Sequence, residues 1–477
     1  MSERQHLQFH GFRKVMLRVV LVGLAFLLLS CRQDAPTGQT RITIWVLPNF
    51  PDPQRDMEKL VKTFTLEHPG IEVEITVLDW GSAWTKITTA ATAQNGPDLI
   101  QLGSTWTAAV TEMGALVPLD SLLLRMGGEN AFVEAGMESA RPRASDSVTS
   151  LPWFLDVRPM YYRKDVLAKM GISPDSIQNW DDFVRALTAI REAKPVVEGN
   201  LVLPIGYPGK NDWNVIHNMA PWIWGAGGDF LDSTATHSAI AEPASIRGIL
   251  FYLNLVRQGF NERRNLEKNT AQVSSDFDEG RLAFWLDATT KTIYLDRPQF
   301  LGGTGKSAAA RNYACMLPPT SPDGHARYFV GGSNLAIFKF SKHRPEAMLL
   351  LEYLVGRPDI QQQMSRASGF LPALRETYDM PYFRENHDRQ VFQRMVQQGR
   401  AYPSVHYWGE IETSILSRRL GNIFDLITAA KPGEWPEDKV IQEIRATDTE
   451  ITRYIAQQLD HSPGLRERLQ SWHRRHP

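Results

Sequence analysis

The segment LPWFLDVRPMYYRKD, Leu151 to Asp165, has an extended pattern but carries four aromatic side chains, two prolines and an interior carboxylate, Asp156. Pro152 and Pro159 lack the backbone N–H that an interior strand donates to its neighbours, so an ordinary central strand does not fit. We therefore predict an extended segment that is not an ordinary interior strand.

The residues before this segment predict an α/β sheet. RITIWVLPNF, IEVEITVLDW and PDLIQLG have strand patterns, and the two segments between them have helical spacing of apolar residues. This order predicts a mostly parallel sheet flanked by helices, and ligands of such sheets bind beyond the carboxyl ends of the strands. The residues expected at those ends are Asn49, Trp80, Ser104, Thr105 and Trp106.

Later segments continue the alternation of helices and strands. NWDDFVRALTAIREA predicts a helix that Asn179 caps, with Asp182 favourably placed near the positive end of the helix dipole. Residues 211–232, NDWNVIHNMAPWIWGAGGDFLD, are aromatic and rich in turn formers. RYFVGGSNLAIFKFS, residues 327–341, predicts a second long extended segment interrupted by two glycines.

Composition and charge exclude several classes of protein. The chain has 477 residues, 43% of them hydrophobic, which suits a packed two-lobe or two-domain protein and argues against disorder. The formal net charge of −1 gives no electrostatic reason to expect a nucleic-acid partner.

The N-terminus has the pattern of a signal peptide. A basic stretch precedes the apolar run Val19 to Leu29, which is too short for a permanent membrane helix. The sequence LLSC that ends at Cys31 resembles a bacterial lipobox, which implies a lipoprotein signal peptide over residues 1–30, lipidation of Cys31 and a polar tether over residues 31–40. The alternative is a signal peptide cleaved nearby, with Cys31 incidental. Cys315 is the other cysteine, so no disulfide framework is expected.

Catalytic and cofactor motifs are absent from the sequence. GGTGKSAAA ends like a phosphate-binding loop, but Phe300 stands where that motif needs a glycine five residues before Gly305. There is no GxSxG nucleophile motif, and the histidines are scattered, with His473 and His476 in a terminal segment expected to be solvated. We predict no cofactor, no metal and no catalytic residue, although paired carboxylates of a glycoside hydrolase are compatible with the sequence.

Tryptophan is the most informative residue type. Flat aromatic faces beside Asp, Asn, Ser and Gly suit a sugar, which has both C–H faces and hydroxyl edges. Burial in a core explains any single tryptophan more simply, whereas the set predicts a lined cleft. The tryptophans at predicted strand ends and turns are Trp80, Trp84, Trp106, Trp153, Trp213, Trp222, Trp224, Trp285 and Trp408.

Several segments, in this order and spacing, resemble the extracellular solute-binding proteins of bacterial ABC importers, the family that includes maltose-binding protein. The resemblance covers nearly all of the mature chain. The segments are ITIWVLPNF, PDLIQLG, MGALVPLD, LPWFLDVRPMYYRKDVLAKMGI, NWDDFVRAL, DFDEGRLAFWLD, the long run from GGSNLAIF to SGFLPAL, and HYWGEIE.

The resemblance implies a two-lobe α/β fold of the type II periplasmic-binding-protein class, each lobe a mostly parallel sheet flanked by helices. The implied first lobe is residues 41–154 with 333–383, and the second is 155–332 with 384–465, followed by a basic tail over 466–477. It also implies that residues 151–165 cross between the two lobes and form the floor of a ligand cleft. It further implies a ligand-facing carboxylate at Asp156, Trp153 on the approach, and sugar-stacking rings at Trp285 and Trp408. The remaining candidates for ligand binding are His217, Asn218, Trp222, Asp287 and Gly332.

The resulting hypothesis is a lipid-anchored, monomeric receptor on the periplasmic or extracellular face of a bacterial membrane. It closes on a carbohydrate and presents it to the permease subunits of an ABC transporter. The alternatives are a secreted carbohydrate-active enzyme and a sugar-sensing receptor partner without transport. Arg158 near the cleft leaves a sugar phosphate open as ligand, and a polyol is also open.

Overall fold

The computed structural model describes residues 38–210, 212, 214–431 and 433–475. The signal peptide, Cys31 and most of the tether lie outside these residues. The strands, numbered in chain order, are β1 (Thr40–Val46), β2 (Ile71–Val77), β3 (Leu99–Gly103), β4 (Leu151–Val157), β5 (Met160–Arg163), β6 (Val196–Val197), β7 (Asn200–Leu201), β8 (Leu203–Gly206), β9 (Leu282–Leu286), β10 (Tyr313–Met316), β11 (Tyr328–Ile337), β12 (Leu371–Pro372) and β13 (Gly399–Arg400).

Helices cover the sheets and form much of the C-terminal third. They are α1 (Pro53–Glu67), α2 (Trp80–Ala93), α3 (Thr107–Glu112), α4 (Asp120–Arg125), α5 (Glu134–Ala140), α6 (Lys164–Lys169), α7 (Trp180–Ala193), α8 (Asn214–Gly225), α9 (Pro243–Arg257), α10 (Thr270–Asp278), α11 (Lys291–Asp296), α12 (Ala308–Asn312), α13 (Arg344–Gly356), α14 (Pro358–Ser368), α15 (Pro381–Arg384), α16 (His387–Gln397), α17 (Trp408–Glu410), α18 (Ser417–Ala429), α19 (Glu437–His461) and α20 (Leu465–Arg475). A π-helical turn, Ile411–Leu416, joins α17 to α18.

Two sheets define the two lobes. The first lobe is built on a seven-stranded sheet with the order β12-β4-β11-β3-β1-β2, in which β13 also pairs with β11. The second lobe is built on a four-stranded sheet with the order β10-β5-β9-β8. Three apolar clusters form the cores, and one of them extends from the large sheet onto the face of the small sheet that carries Tyr161 and Trp285.

The expectation of mostly parallel sheets holds for only part of the structure. β1 pairs in parallel with β2 and with β3, as the β-α-β-α-β pattern predicts, and β8 pairs in parallel with β9. β11 runs antiparallel to both β3 and β4, and β5 runs antiparallel to both β9 and β10. Both sheets are therefore mixed, because strands that enter from the other lobe do not follow the right-handed helical crossovers that make neighbours parallel.

The segment 151–165 passes from one sheet to the other, as predicted. β4 lies in the large sheet, Arg158 and Pro159 follow it, and β5 lies in the small sheet. Pro152 lies beyond the two residues of β4 that β12 pairs with, and it faces Asn334 of β11 next to a register shift, a kind of irregularity at which sheets accommodate proline. The chain returns to the large sheet between β10 and β11.

The helix predicted at α7 is confirmed, whereas α8 is a helix in a stretch whose sequence indicated turns. Asn179 and Asp182 form a complete capping box at the start of α7. Residues 214–225, within the stretch read as turn-rich, form α8 with Pro221 in its interior. Every residue of α8 is buried, so packing against α9 and β11 outweighs the cost of an interior proline.

The C-terminal segment expected to be solvated is the helix α20. Leu465 and Leu469 are buried in the core of the second lobe. The guanidinium of Arg143 lies 4.7 Å from the ring centroid of Trp472, and Arg468 pairs with Glu112 at 3.4 Å. The prediction of a basic tail over 466–477 missed this helix because its abundant charges hide a short apolar stripe.

Candidate functional site

Three tryptophans form a cluster at the carboxyl ends of β2 and β3. Trp80 begins α2, Trp84 lies about one turn later, and Trp106 directly precedes α3. The ring centroid of Trp106 is 5.6 Å from that of Trp80 and 5.7 Å from that of Trp84. Trp80 and Trp84 are 45% and 38% exposed, so this tryptophan cluster presents aromatic surface to solvent.

The segment that begins at Trp408 approaches the same sheet edge from the second lobe. A Cβ atom at Gly409 would lie 3.6 Å from the carbonyl oxygen of Thr105 and 4.0 Å from the indole of Trp106. The Thr105 hydroxyl lies near enough to Glu412 to lower the pKa of that carboxyl, and Glu412 belongs to the π-helical turn, a local irregularity that occurs frequently at functional sites. The two lobes therefore touch at Thr105.

Asn49, Ser104 and Gly332 have structural partners at this edge. Asn49 and Gln101 exchange side-chain hydrogen bonds of 2.7 and 3.1 Å. The backbone N–H of Ser104 donates to the carbonyl oxygen of Gly332 at 3.0 Å. At Gly332 φ is 138°, and a Cβ would lie 2.1 Å from the carbonyl oxygen of Phe154, so only glycine fits. These contacts give structural roles to the Asn49 side chain and to Gly332, whereas the contact of Ser104 involves only its backbone.

Asp156 and Arg158 form a buried ion pair where the chain leaves β4. Arg158 also donates to the Oδ1 atom of Asn214 at 2.9 Å. The other Asp156 oxygen accepts hydrogen bonds of 3.3 Å from the backbone N–H and the hydroxyl of Thr289. Asp156 thus ties the crossing segment to the loop after β9, and its known partners are protein groups.

His217 lies next to this pair in α8. Its ring stacks on Phe329 with centroids 4.4 Å apart, and its Nδ1 atom is 3.0 Å from the hydroxyl of Tyr402. Burial, assisted by the nearby charge of Arg158, holds the pKa of His217 well below its usual value. Burial also raises the pKa of Glu412 to about 7. The 3.6 Å contact of His217 with Glu412 therefore involves a neutral imidazole at neutral pH.

Five tryptophans predicted to line the cleft, among them Trp224, are buried in the cores instead, and Trp213 lies outside the described residues. The indole of Trp285 lies 5.3 Å from Phe277 and 5.6 Å from Tyr161, measured between ring centroids. Trp408 stacks on Tyr402 at 4.7 Å. The residues of the predicted site that are 2% exposed or less are Trp153, Trp222, Trp285, Trp408 and Asn218. The buried positions of these tryptophans and of Trp224 do not support sugar stacking by their rings.

An open cavity of about 600 Å³ lies beside the loop after β9. Its volume is in the range of small-molecule binding sites. Asp287 is the predicted site residue that reaches it, and Lys291 and Tyr294 from α11 line it as well. Burial raises the pKa of Asp287 to about 6, an effect partly offset by Arg158. The full lining is Asp212, Asn214, Asn269, Thr270, Ala271, Ser274, Asp287, Thr290, Lys291, Tyr294 and Thr304.

Sequence reasoning did not select several residues of this region. The missed residues with polar side chains include Asn214, Thr270, Thr289, Lys291, Tyr294, Tyr402 and Glu412. Glu412 was missed because a π-helical turn has no recognisable pattern in the sequence. Asn214, by contrast, could have been predicted, because it lies three residues before His217 in the aromatic stretch 211–232. Within the described ranges no three His, Cys, Asp or Glu residues group as a metal site, and no helix is both long and apolar enough for a bilayer.

A model of the bacterial extracellular solute-binding protein family matches residues 48–359, well over half of the chain. The chain belongs to this family. The family resemblance and the two-lobe α/β fold predicted from the sequence are therefore confirmed. This solute-binding protein is a receptor of an ABC importer, and its family places it on the periplasmic or extracellular side of the membrane.

Individual proteins are similar over most of their length. A putative binding protein of Brucella abortus (strain 2308) is 26% identical over 85% of this chain and 92% of its own. The diacetylchitobiose binding protein DasA of Streptomyces coelicolor is 23% identical over 94% of this chain and 99% of its own. The sugar-binding protein MalE of Xanthomonas citri has a solved structure that matches this solute-binding protein with a TM-score of 0.73, at 22% identity, over 89% of this chain and 100% of its own.

Proposed function

We propose that this solute-binding protein captures a carbohydrate between its lobes and delivers it to the permease subunits of an ABC transporter, acting as a monomer without a cofactor. The tryptophan cluster carries this proposal, because its exposed indoles offer stacking faces to a sugar. The polar side chains that line the cavity after β9 offer hydrogen-bond partners to the hydroxyl groups of a sugar. The relatives named for diacetylchitobiose and for sugar support the same ligand class.

The proposed mechanism is closure of the lobes about the crossing segments. Arg158 and Pro159 form one short link between the sheets, and residues 317–327 form another. A ligand that touches both lobes shifts a pre-existing equilibrium toward the closed form, which the permease then recognises. The lobe boundaries given above, at residues 154/155, 332/333 and 383/384, belong to this proposal.

Trp84→Ala is expected to weaken carbohydrate binding about tenfold, because the stacking surface of one exposed indole is lost. Isothermal titration with a panel of maltose, cellulose and chitin oligosaccharides measures the change. Leu124→Ala, at another exposed apolar side chain, is the control and should keep the wild-type affinity. Equal affinity of the two variants would contradict a role for the tryptophan cluster.

A hydrolase is the second candidate, since Asp287 with its raised pKa lies close enough to Asp156 for their charges to interact. Asp156 pairs with Arg158, which favours a structural carboxylate over a nucleophile. Chromatography of the same oligosaccharides after long incubation separates the candidates. Unchanged sugars with measurable binding support the receptor, and shortened products would support the enzyme.

We also propose the lipid anchor at Cys31, which lies outside the described residues. Cys31→Ser is expected to move the protein from the detergent phase to the aqueous phase in a Triton X-114 partition, or to leave it unprocessed, because the thiol that accepts the lipid is gone. Mass spectrometry of the mature N-terminus checks the modification. Cys315→Ser is the matched control, and aqueous partition of the wild type would rule out the anchor.

A further inference from the structure

The cavity beside α11 contains a buried carboxylate whose partners do not neutralise it. Asp287 lines the cavity and is 9% exposed. Within the described part of the chain, no side chain donates a hydrogen bond to its carboxylate, and the backbone N–H of Ala288 lies near enough to lower the pKa of that carboxyl. A buried carboxylate has acceptor capacity for several donors, so Asp287 can accept more hydrogen bonds from a ligand.

The nearby cations are already paired with other carboxylates. The Nζ atom of Lys291 lies 2.6 Å from Asp278 and 2.8 Å from the hydroxyl of Ser274. Arg158 pairs with Asp156 and donates to Asn214. These cations lower the pKa of Asp287, but burial and the charge of Asp156 act in the opposite direction, and burial dominates.

The other carboxylate in the cavity wall, Asp212, accepts hydrogen bonds from backbone N–H groups. Asp212 accepts the N–H of Asn214 at 2.8 Å and the N–H of Thr270, so both of its oxygens are occupied at the starts of two helices. Among the lining residues, Asp287 and Asp212 are anionic and Lys291 is cationic, with the Lys291 charge matched by Asp278. The cavity therefore has an excess of negative charge that favours a cationic ligand group and disfavours a phosphate.

We propose that Asp287 determines the charge of the ligand, and that the cavity takes a carbohydrate bearing a free amine in preference to its hydroxyl or acetamido counterpart. This inference rests on the proposed function of the cleft. An ammonium group offers Asp287 up to three hydrogen-bond donors and a positive charge that neutralises the carboxylate. A hydroxyl group offers one donor and no charge.

The test uses three disaccharides with one skeleton. Chitobiose, N,N′-diacetylchitobiose and cellobiose share their β-1,4 linkage and differ at C2, with an amine, an acetamide and a hydroxyl. Titration calorimetry at pH 7 is expected to give about tenfold tighter binding of chitobiose than of cellobiose, from one charge-assisted hydrogen bond in place of a neutral one. In Asp287→Asn this preference should disappear, while Asp438→Asn at the exposed start of α19 should retain it.

The pH dependence of the wild type provides a second measurement that needs no variant. The pKa of Asp287 is about 6 without ligand, so at pH 5 the carboxyl is mostly protonated and must release its proton to pair with an ammonium group. Chitobiose affinity should therefore fall about tenfold from pH 7 to pH 5, and cellobiose affinity should change much less.

Equal affinity for chitobiose and cellobiose at pH 7, or a preference that survives in Asp287→Asn, would overturn the inference. Binding of neutral oligosaccharides alone would also overturn it and would leave the proposed carbohydrate receptor intact. If no member of the full oligosaccharide panel is bound, the proposed function fails and the inference fails with it.

Discussion

Trp285→Ala is expected to lower the free energy of unfolding of the ligand-free protein by about 3–5 kcal/mol. The indole is fully buried in β9, between Tyr161 and Phe277, and the ammonium group of Lys291 lies 5.5 Å from its ring centroid. Alanine leaves a cavity at the junction of the small sheet with the core that extends from the large sheet. Urea denaturation of the apo protein, followed by far-UV circular dichroism, measures the loss.

Trp84→Ala is the matched control for stability, because that indole is 38% exposed. Its truncation should change the free energy of unfolding by less than about 1 kcal/mol, as is usual for surface positions. The sequence-based hypothesis expects the reverse for Trp285, with normal apo stability and lost affinity. That pattern would return Trp285 to the ligand site and contradict its placement in the core.

The strands and helices of the first lobe could be predicted from the sequence where consecutive elements also pack against each other. β1, α1, β2, α2 and β3 follow one another with short connections, and local apolar periodicity specifies each of them. Their parallel pairing follows from the same order. For that reason the tryptophans that follow β2 and β3 were correctly expected at one sheet edge.

The rest of the sheet order depends on contacts between distant segments. β11 pairs with β4, about 180 residues earlier in the chain, and with β3, which is more distant still. No local pattern encodes the direction of these pairs, so the antiparallel half of the sheet was missed. Likewise α8 has proline and glycine signals of a loop, and it is helical because its whole surface is buried.

Burial decides the role of a tryptophan, and the local sequence signals that burial only in part. Trp285 lies in LAFWL, a strand whose five residues are all buried, whereas Trp84 lies on a helix with an exposed face. The apolar run around Trp285 favours a buried strand, whereas Trp84 is followed by Thr85 and Lys86, yet both tryptophans were predicted to line the cleft. The hydrogen-bond partners of charged groups are also not evident from the local sequence. Thr289, for example, donates to Asp156 from 133 positions away in the chain.

Asp156→Ala is expected to destabilise the ligand-free protein by about 3–5 kcal/mol, because it leaves the guanidinium of Arg158 buried without its counter-ion. The loss also removes the acceptor of two Thr289 hydrogen bonds that connect the crossing segment to the second lobe. Chemical denaturation of the apo variant measures the effect.

A double variant separates the ion pair from simple loss of packing. Asp156→Leu combined with Arg158→Met removes both charges and keeps most of the volume, so it should cost clearly less than Asp156→Ala alone. If Asp156 instead contacts the ligand, as the family resemblance implies, Asp156→Ala would keep apo stability and weaken binding roughly 10- to 150-fold. Because a carboxylate already bonded to Arg158 and Thr289 has little acceptor capacity left, we expect the stability loss to be the larger effect, with Asp287 rather than Asp156 governing affinity.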